Sequence, residues 1–177
     1  MIWIVIVAVL ALVIGPAMYL KPSPKDKRLV ALRGRARELG LTVSIEFLPK
    51  LNPTADERVS SGGVVREPKV ERAAYRLVHG ADELLGDVDV LVLKIPEDVS
   101  VVIPERRDDW AILKGELPKI IDAKLAELLK TLPETVLGLA FDARCVTCYW
   151  SEPAGSEATD VEAIAAWLNR AVTQIRT

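Results

Sequence analysis

The hydrophobic positions of this chain fall into two regimes. Residues 2–20, IWIVIVAVLALVIGPAMYL, are 19 consecutive positions without a charge. As a helix rising about 1.5 Å per residue they would span roughly 29 Å, close to the ~30 Å hydrocarbon core of a bilayer. Trp3 and Tyr19 lie near the two ends, where amphipathic rings prefer the headgroup level. Nothing basic precedes the run and no small-residue cleavage site follows it, so it reads as an uncleaved transmembrane helix, not a signal peptide. Pro16 is tolerated in such a helix where neighbours satisfy the freed carbonyl. Ala8, Ala11 and Gly15 recur at i, i+3 and i+7, a small-residue face on which another membrane helix can pack.

Behind this run, apolar and polar positions alternate with shorter periods. Leu29, Leu32, Ala36 and Leu39 form one stripe of a helix over 26–39, with Gly40 as its C-terminal cap. That stripe suits a helix lying on a membrane surface or partner, and equally a domain helix packed on its own core. Residues 41–48, LTVSIEFL, alternate as a strand with Val43, Ile45 and Phe47 inward. Turn residues mark a loop from Pro49 to Gly63. Residues 64–79 fit either a helical stripe (Val70, Ala74, Leu77, Val78) or an alternating strand (Tyr75, Leu77, His79). Residues 88–95, VDVLVLKI, read as a strand, and Pro96 and Pro104 bracket an irregular or edge segment. A helix is expected over 117–131, with Pro118 at its first turn. Residues 135–141 and 145–150 suggest a hairpin around Asp142-Ala143-Arg144. A last helix, capped by Thr159 and Glu162, buries Val161, Ile164, Ala165, Leu168, Val172 and Ile175. The expected fold is α+β: a transmembrane helix over 1–20, a basic linker and amphipathic helix over 21–40, and a domain over 41–177. That domain would hold a mostly antiparallel sheet with helices on one face.

Charge adds an orientation. Lys21, Lys25, Lys27, Arg28, Arg33, Arg35 and Arg37 stand against Asp26 alone, a collar of +6. The chain's net −2 less that +6 leaves −8 for residues 38–177. By the positive-inside rule the domain is cytoplasmic and residue 1 outside, a single-pass arrangement in a bacterial inner membrane. The collar suits anionic lipid headgroups. An acidic body argues against nucleic-acid binding, which needs clustered cations. Two cysteines form no disulfide framework.

Catalytic equipment is sparse. Cys145 and Cys148 are spaced as C-x-x-C, but in a strand-like run, where positions i and i+3 point to opposite faces. Their thiols would diverge, and no helix N-terminus lowers their pKa. A zinc site would need two more ligands, and His79 is the one histidine. As a lone histidine it reads as a turn or surface residue. No phosphate-binding glycine motif occurs. The pairs Asp82-Glu83, Asp87-Asp89 and Asp108-Asp109 lack calcium-loop spacing. Trp110, Trp150 and Trp167 read as core anchors, with a partner interface as the other use of such a ring. No catalytic residue, cofactor or metal site is expected.

The stretches LKPSPKDKRLVALRGRARELG and SSGGVV bring a resemblance into view. The first 65 residues resemble the YajC accessory subunit of the bacterial preprotein translocase, or a larger proteobacterial single-pass membrane protein similar to it. The resemblance implies one membrane helix, a basic helix and a small β domain with a Gly-Gly turn. The chain departs from it by a longer gap before Gly62-Gly63 and by residues 66–177, which have no counterpart. The functional expectation is a non-catalytic accessory or scaffold subunit of an inner-membrane complex, a translocase or a respiratory assembly. It would dock on integral membrane protein subunits by its transmembrane helix. The alternatives are a cysteine-based redox or metal module on Cys145 and Cys148, and a lipid-surface adaptor.

Overall fold

The computed structural model describes residues 2–3, 23–60, 62–79, 88–116 and 119–176. The first element, α1 (Pro24–Glu38), begins where Ser23 and Asp26 exchange hydrogen bonds in a capping box and Pro24 takes the first turn. It ends where Gly40, at φ +80°, lets the chain reverse, and the Leu41 amide donates back to the Ala36 carbonyl (2.9 Å). The chain then runs through β1 (Thr42–Pro49), a one-turn helix α2 (Ala55–Arg58), β2 (Lys69–Val78), β3 (Asp89–Lys94), β4 (Glu105–Arg107) and β5 (Trp110–Lys114). It closes with α3 (Lys119–Lys130), β6 (Val136–Asp142), β7 (Cys145–Trp150) and α4 (Ala158–Arg176).

The seven strands form one sheet in the order β1-β2-β7-β6-β3-β5-β4, every pair antiparallel. The 64–79 ambiguity resolves as strand, because β2 sits between two partners and pairs along both sides. Alternate side chains of the sheet feed two cores. On one face Tyr75, Val92, Phe141, Val146 and Trp150 pack against Leu32 and Ala36 of α1, Leu128 of α3, and Ile164 and Leu168 of α4. On the other, Ala74, Leu93, Ala111 and Tyr149 are covered by Leu48, Leu51 and the 95–103 loop. The chain is thus α+β, with the three long helices on one face and loops on the other.

Several expectations are corrected here. Among the described residues no helix is long and apolar enough to cross a membrane. The longest, α4, has 19 residues, but Glu162, Asn169, Arg170 and Thr173 give it a polar side, while its apolar stripe is spent on the core. The membrane helix over 2–20, with its packing face Ala8, Ala11 and Gly15, lies outside the described residues apart from Ile2 and Trp3. The transmembrane, single-pass and inner-membrane descriptions, the external N-terminus and the cytoplasmic domain therefore find no support and are set aside. Of the two readings of the basic helix's stripe, a membrane or partner surface or its own core, the described residues show the core. Leu32 and Ala36 are buried in the main core, so α1 is part of the domain. The cap of α4 also differs. Asp160 accepts from the Glu157 amide (2.9 Å) two residues early, which frees Glu162 to bind Arg35 of α1. His79, expected at a turn or surface, is buried.

Candidate interaction site at the first strand

β1 is an edge strand, and its hydrogen-bonding pattern can be read from its neighbour. The Lys50 amide donates to the Pro68 carbonyl (2.9 Å), in the same register as Pro49 opposite Lys69. Directly bonded pairs alternate along an antiparallel ladder. The even positions of β1 therefore bond to β2, and Val43, Ile45 and Phe47 turn their N–H and C=O groups outward. The outward row is bounded at both ends. The Leu41 amide is already committed to Ala36, and Pro49 has no N–H.

The same odd positions carry their side chains on the helix-covered face, as their alternation implies. Only Val43 is packed there. Ile45 is 47% exposed and Phe47 62% exposed. The expectation that all three point inward thus holds for direction and fails for burial, because nothing described covers the outer half of β1. Beside these residues lies a groove of about 820 Å³, lined by Lys25, Arg28 and Leu29 of α1, Ile45 and Ala73 of the sheet, and Pro153 of the loop after β7. The opposite edge is different. β4 is three residues long, all charged and exposed, a form that discourages pairing.

A polar clamp holds α1 above this groove. Arg33 grips Glu152 with two hydrogen bonds, Nε to Oε1 (2.9 Å) and Nη2 to Oε2 (2.7 Å). The Tyr75 hydroxyl donates to the same Oε1 (2.9 Å). Hydrogen bonding to Glu152 raises the Arg33 pKa further, and burial, then the Glu152 charge, raises that of Tyr75. Arg28 donates to the carbonyls of Pro153 and Glu152, and Arg35 binds Glu162 of α4 (2.6 Å). Three of the cations expected to face lipid headgroups are thus turned onto the domain itself. Lys25, Lys27 and Arg37 are exposed, and Lys21 lies outside the described residues.

On the other face, Glu46 takes bonds from Arg76 (2.6 Å), the Tyr149 hydroxyl (2.9 Å) and Ser44 (3.1 Å). This network satisfies its own members. The two cysteines are where the strand geometry puts them, on opposite faces of β7. Cys148 is in the main core, and Cys145 donates from Sγ to Asp142 Oδ2 (2.7 Å). Burial, then the Asp142 carboxylate, pushes the Cys145 thiol up to about 12, and burial alone raises that of Cys148. Neither supplies thiolate near neutral pH. Among the described residues no group of three or more His, Cys, Asp or Glu side chains is placed to hold a metal ion. Trp110, Trp150 and Trp167 are core residues. Trp150 donates to Thr135 Oγ1 (2.9 Å) and Trp167 to the Leu128 carbonyl (3.1 Å).

No family model, curated protein or solved structure matches this chain. Sequence reasoning placed Ile45 and Phe47 on the inward face of their strand and did not mark them as a site. The one local signal was the Pro49 that ends their strand, a residue confined to edges and strand ends.

Proposed function

We propose that this protein is a non-catalytic accessory or scaffold subunit that works by contact, receiving an extended strand at the free edge of β1. The observation that carries this is the coincidence on one strand of three outward backbone donors and two exposed apolar side chains, Ile45 and Phe47. Strand addition draws affinity from main-chain hydrogen bonds and specificity from alternate side chains, and both are available here. An exposed apolar edge strand is a liability that folds usually blunt. β4 is blunted, and β1 is not. The resemblance of residues 1–65 to a translocase accessory subunit points to the same kind of role.

A photo-reactive phenylalanine analogue placed at Phe47 tests this in cells, with the same analogue at Val102, 94% exposed on the 95–103 loop, as the control. The reading expects a discrete protein adduct from position 47 and none from position 102. Equal labelling at both positions, or none at 47, refutes it.

A further inference from the structure

We infer that the strand received by β1 is β1 of a second copy of this chain, paired antiparallel about a two-fold axis through Ile45. This rests on the reading of β1 as the docking edge and names its occupant. The edge is self-complementary. Its outward donors, Val43, Ile45 and Phe47, are symmetric about Ile45. Pairing capacity stops the same distance away on each side, at Leu41, whose amide is used by Ala36, and at Pro49, which has no amide hydrogen. A foreign strand has no need of an edge with that symmetry.

Opposed residues in an antiparallel pair share a face, so the axis must pass through a residue. Ile45 and Glu46 are the two centres that keep the greatest part of the eight-residue strand overlapped. Centring on Glu46 sets that carboxylate directly opposite its own copy, which is destabilising, and draws Pro49 into the ladder opposite Val43. Centring on Ile45 sets Val43 opposite Phe47 of the second copy, Ile45 opposite Ile45, and the Ser44 hydroxyl opposite the Glu46 carboxylate. All three outward donors of each copy then find carbonyls, and the exposed apolar row on the helix side is covered by its like. β4, short and charged, offers no second pairing edge, so the assembly closes at two copies with a continuous sheet and does not propagate.

Sedimentation of the full chain over a range of concentrations, joined to charge-swap variants, tests this. Ile45→Lys places two ammonium groups across the axis, at a position exposed enough to accept lysine without loss of fold. It is expected to weaken self-association roughly tenfold or more, as is Ile45→Glu. An equimolar mixture of the two should restore the dimer, which a merely structural effect would not do. Ile45→Cys should oxidise to a single symmetric disulfide, since bonded antiparallel pairs hold Cα atoms about 5.5 Å apart. Ser44→Cys and Glu46→Cys chains should crosslink to each other when mixed, more than either does with itself. A wild-type chain that stays monomeric throughout, or a dimer indifferent to the charge variants, overturns the inference. If the chain is monomeric while the probe at Phe47 still captures a different protein, this inference falls and the strand-edge reading stands. If position 47 also labels nothing, both fall.

Discussion

The Glu152 carboxylate ties α1 to the sheet through Arg33 and Tyr75, and its removal should show it. Its side chain is 8% exposed, against 29% for Arg33. It is the acceptor for both the Arg33 guanidinium and the Tyr75 hydroxyl. Glu152→Ala strands both donors. An unsatisfied buried polar group costs about 1–3 kcal/mol, and a buried ion pair broken on one side about 3–5 kcal/mol. Water reaches part of Arg33, so the lower end applies, and we expect a loss of about 3 kcal/mol. For a chain of this size that is a fall in Tm of about 6–12 °C. Glu152 also sits at φ +48°, where a Cβ is strained. Glu152→Gly removes the same carboxylate but relieves that strain, so it should be milder than Glu152→Ala by about 1 kcal/mol. Glu152→Gln keeps one acceptor oxygen and should fall between wild type and the alanine variant.

Urea unfolding with an unchanged m-value is the assay, because it separates stability from any change in the unfolded ensemble. A double-mutant cycle with Arg33→Met should return a coupling of about 1–3 kcal/mol. A loss below about 0.5 kcal/mol for Glu152→Ala, or an additive cycle, would refute the view that this carboxylate ties α1 to the sheet.

Two glycines should respond in opposite directions. Gly34 lies in α1 with open space where a Cβ would go, so Gly34→Ala should stabilise by about 0.5–1 kcal/mol. Gly115→Ala meets the Asp89 carbonyl at φ +73° and should destabilise by about 2 kcal/mol or more, both read from thermal melts. Cys145 and Cys148 should resist alkylation at pH 8 in the folded chain and react within minutes in urea. Fast labelling of either without denaturant would contradict their burial and raised pKa values. Stability should also fall on the alkaline side. Burial, then Glu152 or Glu46, raises the pKa of Tyr75 and Tyr149, and burial raises both thiols. The folded state therefore favours the neutral forms. Their contribution is complete well below about pH 8.5, where even unfolded thiols keep their protons, and is lost as pH rises from the unfolded values of about 8.5 and 10 toward the raised folded ones. A urea midpoint that stays flat from pH 8 to 11 would contradict this.

How much of this was legible in the sequence depends on whether the deciding contacts were local. The stripe of α1 was, because Leu32 and Ala36 recur on one helical face whatever they pack against. The β6–β7 hairpin was too, since its turn residues sit between two apolar runs. β4 and β5 were not assigned. They are short, and the turn between them depends on Asp108 adopting φ +50°, which its neighbours do not announce. The collar shows the limit most clearly. A row of arginines beside an apolar run looks like a lipid-facing surface. Arg33 and Arg35 instead meet Glu152 and Glu162, more than a hundred positions away, and only the packing of α1 against the loop after β7 and against α4 brings them together. The site follows the same logic. Alternation correctly puts Val43, Ile45 and Phe47 on one face, because a strand's period is a local property. Whether that face is buried depends on strand order, and β1 is at the edge only because β2 pairs with β7 on its other side. The outward donors follow from the register of Lys50 against Pro68, a contact across the whole 50–68 loop. A contact surface is thus where a strand-level pattern and a sheet-level order disagree about burial, and here they disagree at Ile45 and Phe47.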